Sequence, residues 1–118
     1  MGERRVEVKV VPGEVWWARP DPGMGREQDG RRPVLVIANE EYLAAVTTLA
    51  ITVPLTTRDR RWPNHVALAG PTGLEQPCWA MTEQVRTISR ARLERRSGVV
   101  AAETLGLVRQ WIVDFLVE

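Results

Sequence analysis

The run Pro33-Val-Leu-Val-Ile-Ala38 is apolar without a break and reads as a strand buried on both of its faces. Such a strand needs paired neighbours on either side and a layer of packing above and below the sheet. A chain of 118 residues can supply that once, so one compact domain spanning 1–118 is expected. Apolar residues make up 44% and charged residues 26%, enough to build a core and far from the composition of a disordered chain.

The flanking sequence supplies the neighbours. Val6, Val8 and Val10 alternate with polar residues in a strand pattern, and Pro12-Gly13 turns the chain. Val15 to Ala18, Val46 to Leu55, His65 to Ala69, Trp79 to Ile88 and Gly98 to Val100 read as further strands. Trp79 to Ile88 is expected to run as one long strand, and Ser89 to Leu93 as a short helical turn. Pro20 to Pro33 holds three prolines and three glycines among charges and reads as a long exposed loop. The one convincing helix spans Ala101 to Val117, with Leu105, Val108, Ile112, Phe115 and Leu116 on its apolar face and no good side-chain cap at its start. Trp111 falls off that face, which suits a contact with another chain. Six or seven short strands followed by one amphipathic helix imply a mainly β fold, a small barrel or twisted sheet closed by the helix.

Composition excludes several functions. The single cysteine, Cys78, cannot form an internal disulfide, and with the single histidine, His65, it cannot supply a Cys/His zinc site. Met1 to Lys9 lacks the apolar core of a secretory signal, and Leu43 to Leu55 is too short to span a bilayer, so a cytoplasmic protein with no membrane partner is expected. Gly23-Met-Gly25 lacks the third glycine of a dinucleotide loop, no phosphate-binding Gly-Lys-Ser/Thr occurs, and Ser89 and Ser97 have no nucleophile context. The net charge is only +1, but residues 56–96 carry eight arginines against four acids, and this basic middle points to an anionic partner.

Five short motifs follow in order: Gly13-Glu14-Val15-Trp16; Glu27-Gln28-Asp29-Gly30-Arg31-Arg32-Pro33; Val53-Pro54-Leu55-Thr56-Thr57; Pro63-Asn64-His65-Val66; and Glu83-Gln84-Val85-Arg86-Thr87-Ile88. Together they resemble the MazF/PemK family of toxin endoribonucleases, from Gly13 to the C-terminus, with residues 1–12 as an N-terminal extension. The resemblance implies an SH3-like barrel of MazF/CcdB type with a C-terminal helix. It implies a homodimer that cuts single-stranded RNA (mRNA, tRNA or rRNA) with no metal or other cofactor, and a cognate antitoxin that neutralises it. By motif match, Arg32 would be the catalytic arginine and Thr56 its partner. Glu27, Gln28, Arg58, Gln84 and Arg86 would contact RNA. Arg26 stands where the family has a serine, so sequence preference does not transfer.

The chemistry asks for the same residue types. RNA brings its own nucleophile, the 2′-hydroxyl, so the protein need only align it, move protons and stabilise charge on phosphorus. A guanidinium supplies fixed charged donors for that charge but, being already protonated, cannot accept the proton. Arg32 is therefore assigned to the phosphorane and to the leaving 5′-oxygen, and Thr56 to a phosphate oxygen. Glu27 and His65 are the two candidates for taking the 2′-proton. Internal attack leaves a 2′,3′-cyclic phosphate and a 5′-hydroxyl. Arg58, Arg60, Arg61 and Trp62 form a cluster of the stacking and phosphate-binding type. Of Trp16 and Trp17, adjacent on a strand, one belongs to the core and the other to a contact surface or the RNA path. Two other readings use the same scaffold. A CcdB-like gyrase poison would carry a Trp-Gly-Ile end, whereas this chain ends Phe115-Leu-Val-Glu118. Arg32 and Thr56 also favour the nuclease over the gyrase poison, and a non-catalytic RNA- or protein-binding module is the other reading.

Overall fold

The computed structural model describes residues 8–19 and 30–117. The element order is β1 (Glu14–Ala18), β2 (Arg32–Val36), α1 (Glu40–Ala45), β3 (Leu49–Thr56), β4 (His65–Ala67), β5 (Trp79–Met81), β6 (Arg86–Ser89), β7 (Leu93–Val99) and α2 (Ala102–Leu116), with a 3-10 turn at Arg90–Arg92 between β6 and β7. All pairings are antiparallel, and the sheet runs β4-β5-β3-β2-β1-β7, with β6 also paired to β3. The expected mainly β fold with a C-terminal helix is present. The ladder of described strands stays open rather than closing into a barrel.

The apolar run 33–38 sits where its composition requires, in the middle of the sheet. Val34, Val36 and Ala38 point into a core with Trp16, Ala50, Ile88 and Leu43 of α1. Leu35 and Ile37 point the other way, into a core with Val15, Val53, Ala80 and Val108 of α2. One strand thus feeds both layers by simple alternation.

Several readings need correction. The last strand spans Leu93–Val99 rather than Gly98 to Val100, and Val8 and Val10 belong to no strand, while Val6 lies outside the described residues. Helix α1 was not expected, although Asn39 caps it by accepting from the Tyr42 N–H at 2.8 Å and Glu40 and Glu41 occupy its first turn. The stretch Trp79 to Ile88 is two strands, not one, separated by a turn in which Gln84 N–H bonds Met81 O at 3.0 Å. The cause lies in β3. Ile37 N–H bonds Ile51 O, so residues 51, 53 and 55 face β2 and residues 52, 54 and 56 face β5 and β6. Pro54 therefore presents its missing N–H to that edge, at the point where the partner strand breaks. On α2, Phe115 and Leu116 are exposed, at 52% and 79%, rather than buried. Trp111, expected off the apolar face, packs against the core and tilts over Phe115 at 6.0 Å.

Two polar clusters lock the frame. The buried Glu14 carboxylate accepts from Val11 N–H (2.9 Å), Trp16 Nε1 (3.0 Å) and Arg96 Nε (2.7 Å), tying the Pro12-Gly13 turn to β1 and β7. The buried Arg90 guanidinium donates to the carbonyls of Val8, Leu43, Val46 and Leu49, joining the N-terminal segment, α1 and β3. No described helix is long and apolar enough to cross a membrane.

Candidate active site

Arg32 opens β2 and Thr56 closes β3. The ladder between them pairs Val34 with Pro54 and Val36 with Thr52. Beyond Val34 and Pro54 the chain continues to Arg32, which pairs with Ala18 of β1, and to Thr56, which pairs with Trp79 of β5, so the two residues lie at the same end of these neighbouring strands. Both residues line one groove of about 590 Å³ that opens to solvent. Trp17 of β1 and Arg95 of β7, themselves cross-strand partners, form another wall. Trp16, the neighbour of Trp17, lies in the core, so the two indoles divide as alternation requires.

The far wall is the segment Gly73–Gln76, which brings Glu75 into the groove. It is held against β7: Ser97 Oγ donates to Thr72 O at 2.8 Å, and Val99 N–H bonds Pro71 O at 3.0 Å. Gly73 adopts φ +77°, and a Cβ there would lie 2.0 Å from Ser97 O, so only glycine permits this approach.

The donors in the groove suit a phosphodiester. The Thr56 hydroxyl oxygen accepts the Arg58 N–H at 3.1 Å, which directs its own hydrogen toward a further acceptor. Next to the site, Glu94 binds Arg19 at 3.0 Å and Arg31 at 3.1 Å. Those two arginines are thereby committed elsewhere, and the charged side chains lining the groove are Arg32, Arg95 and Glu75. Burial pushes the Cys78 thiol, also at the groove, above its ordinary value and keeps it protonated.

The other expected site residues are dispersed. Arg58 adjoins Thr56 through its backbone, with its side chain exposed. Arg86 begins β6 opposite Thr52, away from the groove lining. Gln84 lies in the β5–β6 turn beside Met81 Sδ (3.7 Å) and Glu83 (3.4 Å). Glu27 and Gln28 lie outside the described residues. His65 is buried and meets both Glu83 oxygens at 3.1 Å through Nε2, so it belongs to a separate cluster. There, burial raises the Glu83 carboxyl, but hydrogen bonds from the His65 ring, the Glu83 backbone and Gln84, with the His65 charge, outweigh it and hold the group below its ordinary value. Sequence reasoning missed Arg95 and Glu75 as site residues. Each comes from a segment with no motif of its own, and only the packing of 70–76 on β7 brings them to Arg32.

A family model described as "PemK-like, MazF-like toxin of type II toxin-antitoxin system" matches residues 11–116. The chain is similar to Endoribonuclease MazF9 of Mycobacterium tuberculosis, with 37% identity over 99 residues, 79% of this chain and 84% of the relative. It is 36% identical over 104 residues to the Endoribonuclease toxin MazF of Escherichia coli, covering 86% of this chain and 90% of the relative. Among solved structures, a MazE–MazF structure from Deinococcus radiodurans aligns with a TM-score of 0.77 and 28% identity, over 92% of this chain and 96% of that one.

Proposed function

The chain belongs to the PemK-like, MazF-like toxin family of type II toxin–antitoxin systems, and from that premise we propose that it is a toxin endoribonuclease that cuts single-stranded RNA in the groove between Arg32 and Thr56. The observation that carries this reading is that Arg32 and Thr56, at the same end of the neighbouring strands β2 and β3, line one open groove.

The substrate's 2′-hydroxyl attacks its own phosphorus, so the reaction needs no resident metal. Arg32 donates to the phosphoryl oxygens as charge develops there and protonates the departing 5′-oxygen. Thr56 donates its hydroxyl hydrogen to a phosphate oxygen, and Arg95 adds positive charge to the same trough. The 2′-proton passes to a carboxylate; Glu75 is the acid that lines the groove among the described residues. The products are a 2′,3′-cyclic phosphate and a free 5′-hydroxyl. Arg58, Arg86, Gln84, Glu27 and Gln28 serve RNA binding along the strand.

The protein works as a homodimer in the cytoplasm. The exposed apolar residues Leu107, Val113 and Phe115 of α2 offer surface for a second chain. Its antitoxin has an acidic, extended tail that crosses the groove and covers Arg32, the complement that two arginines in an open trough favour. The test is incubation with long single-stranded RNA in excess EDTA, with the product ends identified. Wild type gives discrete cuts bearing cyclic phosphates, and Arg32→Ala lowers the rate by about 10²- to 10³-fold. Undiminished cutting by Arg32→Ala overturns the mechanism, and gyrase inhibition or RNA binding without cutting overturns the activity.

A further inference from the structure

The loop from Thr57 to Asn64, between β3 and β4, leads directly out of the groove and carries an indole into solvent. Of the five tryptophans Trp62 is the most exposed, at 49%. An exposed ring of this size forgoes a large burial energy, so its setting matters.

That setting is a built one. Asp59 Oδ1 accepts the Arg61 N–H at 2.9 Å, and Arg61 takes the left-handed φ of 61°, which few non-glycine residues adopt. His65 N–H then bonds Trp62 O at 3.0 Å, and the buried His65 ring supports the indole at 4.8 Å between centroids. His65 is itself fixed by both Glu83 oxygens, and Asn64 Nδ2 donates to the same carboxylate at 2.8 Å. The Arg60 guanidinium lies 5.7 Å from the indole centroid. The Gln84 amide meets the same Met81 Sδ as Arg60, at 3.7 Å and 4.0 Å, and its contact with Glu83 is long at 3.4 Å, which a better partner would replace.

A rigidly backed aromatic face with guanidinium charge and a loosely held amide next to it matches a nucleobase more closely than an apolar protein side chain. The face takes the base, the charge meets its phosphate, and the amide reads its edge. The position fits as well. Thr56 and Ala67 both pair with Trp79, and His65 pairs with Met81. Two strand spacings across and two residues along place His65 about 12 Å from Thr56.

Resting on the reading that RNA is cut at Arg32 and Thr56, we propose that Trp62 is a stacking platform for one base of that RNA, a short stretch of strand away from the scissile phosphate, with Arg60 on the adjoining phosphate and Gln84 at the base edge. Trp62 is thus a specificity-determining residue.

The test compares wild type, Trp62→Ala and Trp62→Phe, each checked for thermal stability, on a mixed RNA pool and in a fluorescence titration with a mixed-sequence 2′-O-methyl RNA that cannot be cut. Loss of one base stack lowers kcat/KM of Trp62→Ala by about 5- to 150-fold, carried by KM, while Trp62→Phe stays within about 10-fold of wild type. Base preference weakens at one fixed position relative to the cut, and the RNA-induced quenching of tryptophan emission seen in wild type is smaller in Trp62→Phe, where groove-lining Trp17 still reports binding. Equal quenching in Trp62→Phe, an unchanged cleavage map in Trp62→Ala, or a loss that only tracks reduced stability overturns the proposal. If wild type cuts no RNA, the endoribonuclease reading itself has failed.

Discussion

Replacing Gly98 by alanine tests how the fold builds the groove. A Cβ at Gly98 would lie 2.2 Å from Pro71 O, 2.4 Å from Thr72 C and 2.5 Å from Thr72 O. A carbon normally meets such an oxygen no closer than about 3.3 Å, so β7 and the 70–76 segment must separate by roughly 1 Å. The atoms in the way are backbone, not the end of a pliable side chain. Overpacking of this kind costs about 1–3 kcal/mol. The displaced segment is also the wall that carries Glu75, and a shift of about 1 Å in positioning groups can lower a rate by about 10²-fold. Denaturant unfolding measures the first effect, and RNA cleavage well below the melting temperature measures the second. Gly106→Ala on α2 is the matched control. A Cβ there meets nothing within 4 Å, and alanine in a helix is favoured over glycine by about 0.5–1 kcal/mol. Gly106→Ala should therefore stabilise the protein. Wild-type stability and activity in Gly98→Ala would refute the packing argument.

Three further outcomes follow from named contacts. Glu75→Gln lowers kcat by about 10²- to 10⁴-fold if its carboxylate accepts the 2′-proton; an unchanged kcat, with the loss appearing in Glu27→Gln instead, would move that role to the 20–29 segment. Arg90→Ala removes the buried donor shared by four carbonyls, of which that of Leu43 is buried and the others part-buried, and lowers unfolding free energy by about 3 kcal/mol or more in denaturant titrations; a loss below about 1 kcal/mol would contradict its role as a tie. The Glu83 carboxyl is held below its ordinary value of 4.5, so its contact with His65 stabilises the fold above that pH and is lost as pH falls through the lower folded value. Melting temperatures across the acid range should decline less steeply for Glu83→Gln than for wild type, and parallel declines would count against the contact.

Much of the architecture was legible because it depends on local patterns. The unbroken run 33–38 implied burial on two faces, and the structure divides its side chains between two cores. The proposal that Arg32 and Thr56 act together comes from motif resemblance alone; what the structure adds is that both line one groove. Pro54 was equally visible, yet its effect depends on which edge of β3 its missing N–H faces, and that requires the register. Helix α1 carried its signal in Asn39, Glu40 and Glu41, but six residues are too few for periodicity to stand out. The end of α2 misled for a different reason. Helical spacing groups Phe115 and Leu116 with the apolar face, but it does not reveal that these last-turn residues stay exposed. Arg95 and Glu75 reach the groove through tertiary packing between segments distant in sequence, which no local pattern encodes.

The most direct measurement is a double-mutant cycle on RNA cleavage in EDTA, with wild type, Arg32→Ala, Thr56→Ala and the double variant on one substrate. If the two side chains grip the same phosphate, the double variant loses less than the product of the single losses, with a coupling of about 1–3 kcal/mol. Losses that multiply to within about 0.5 kcal/mol would show that the two residues act independently, and would contradict the account.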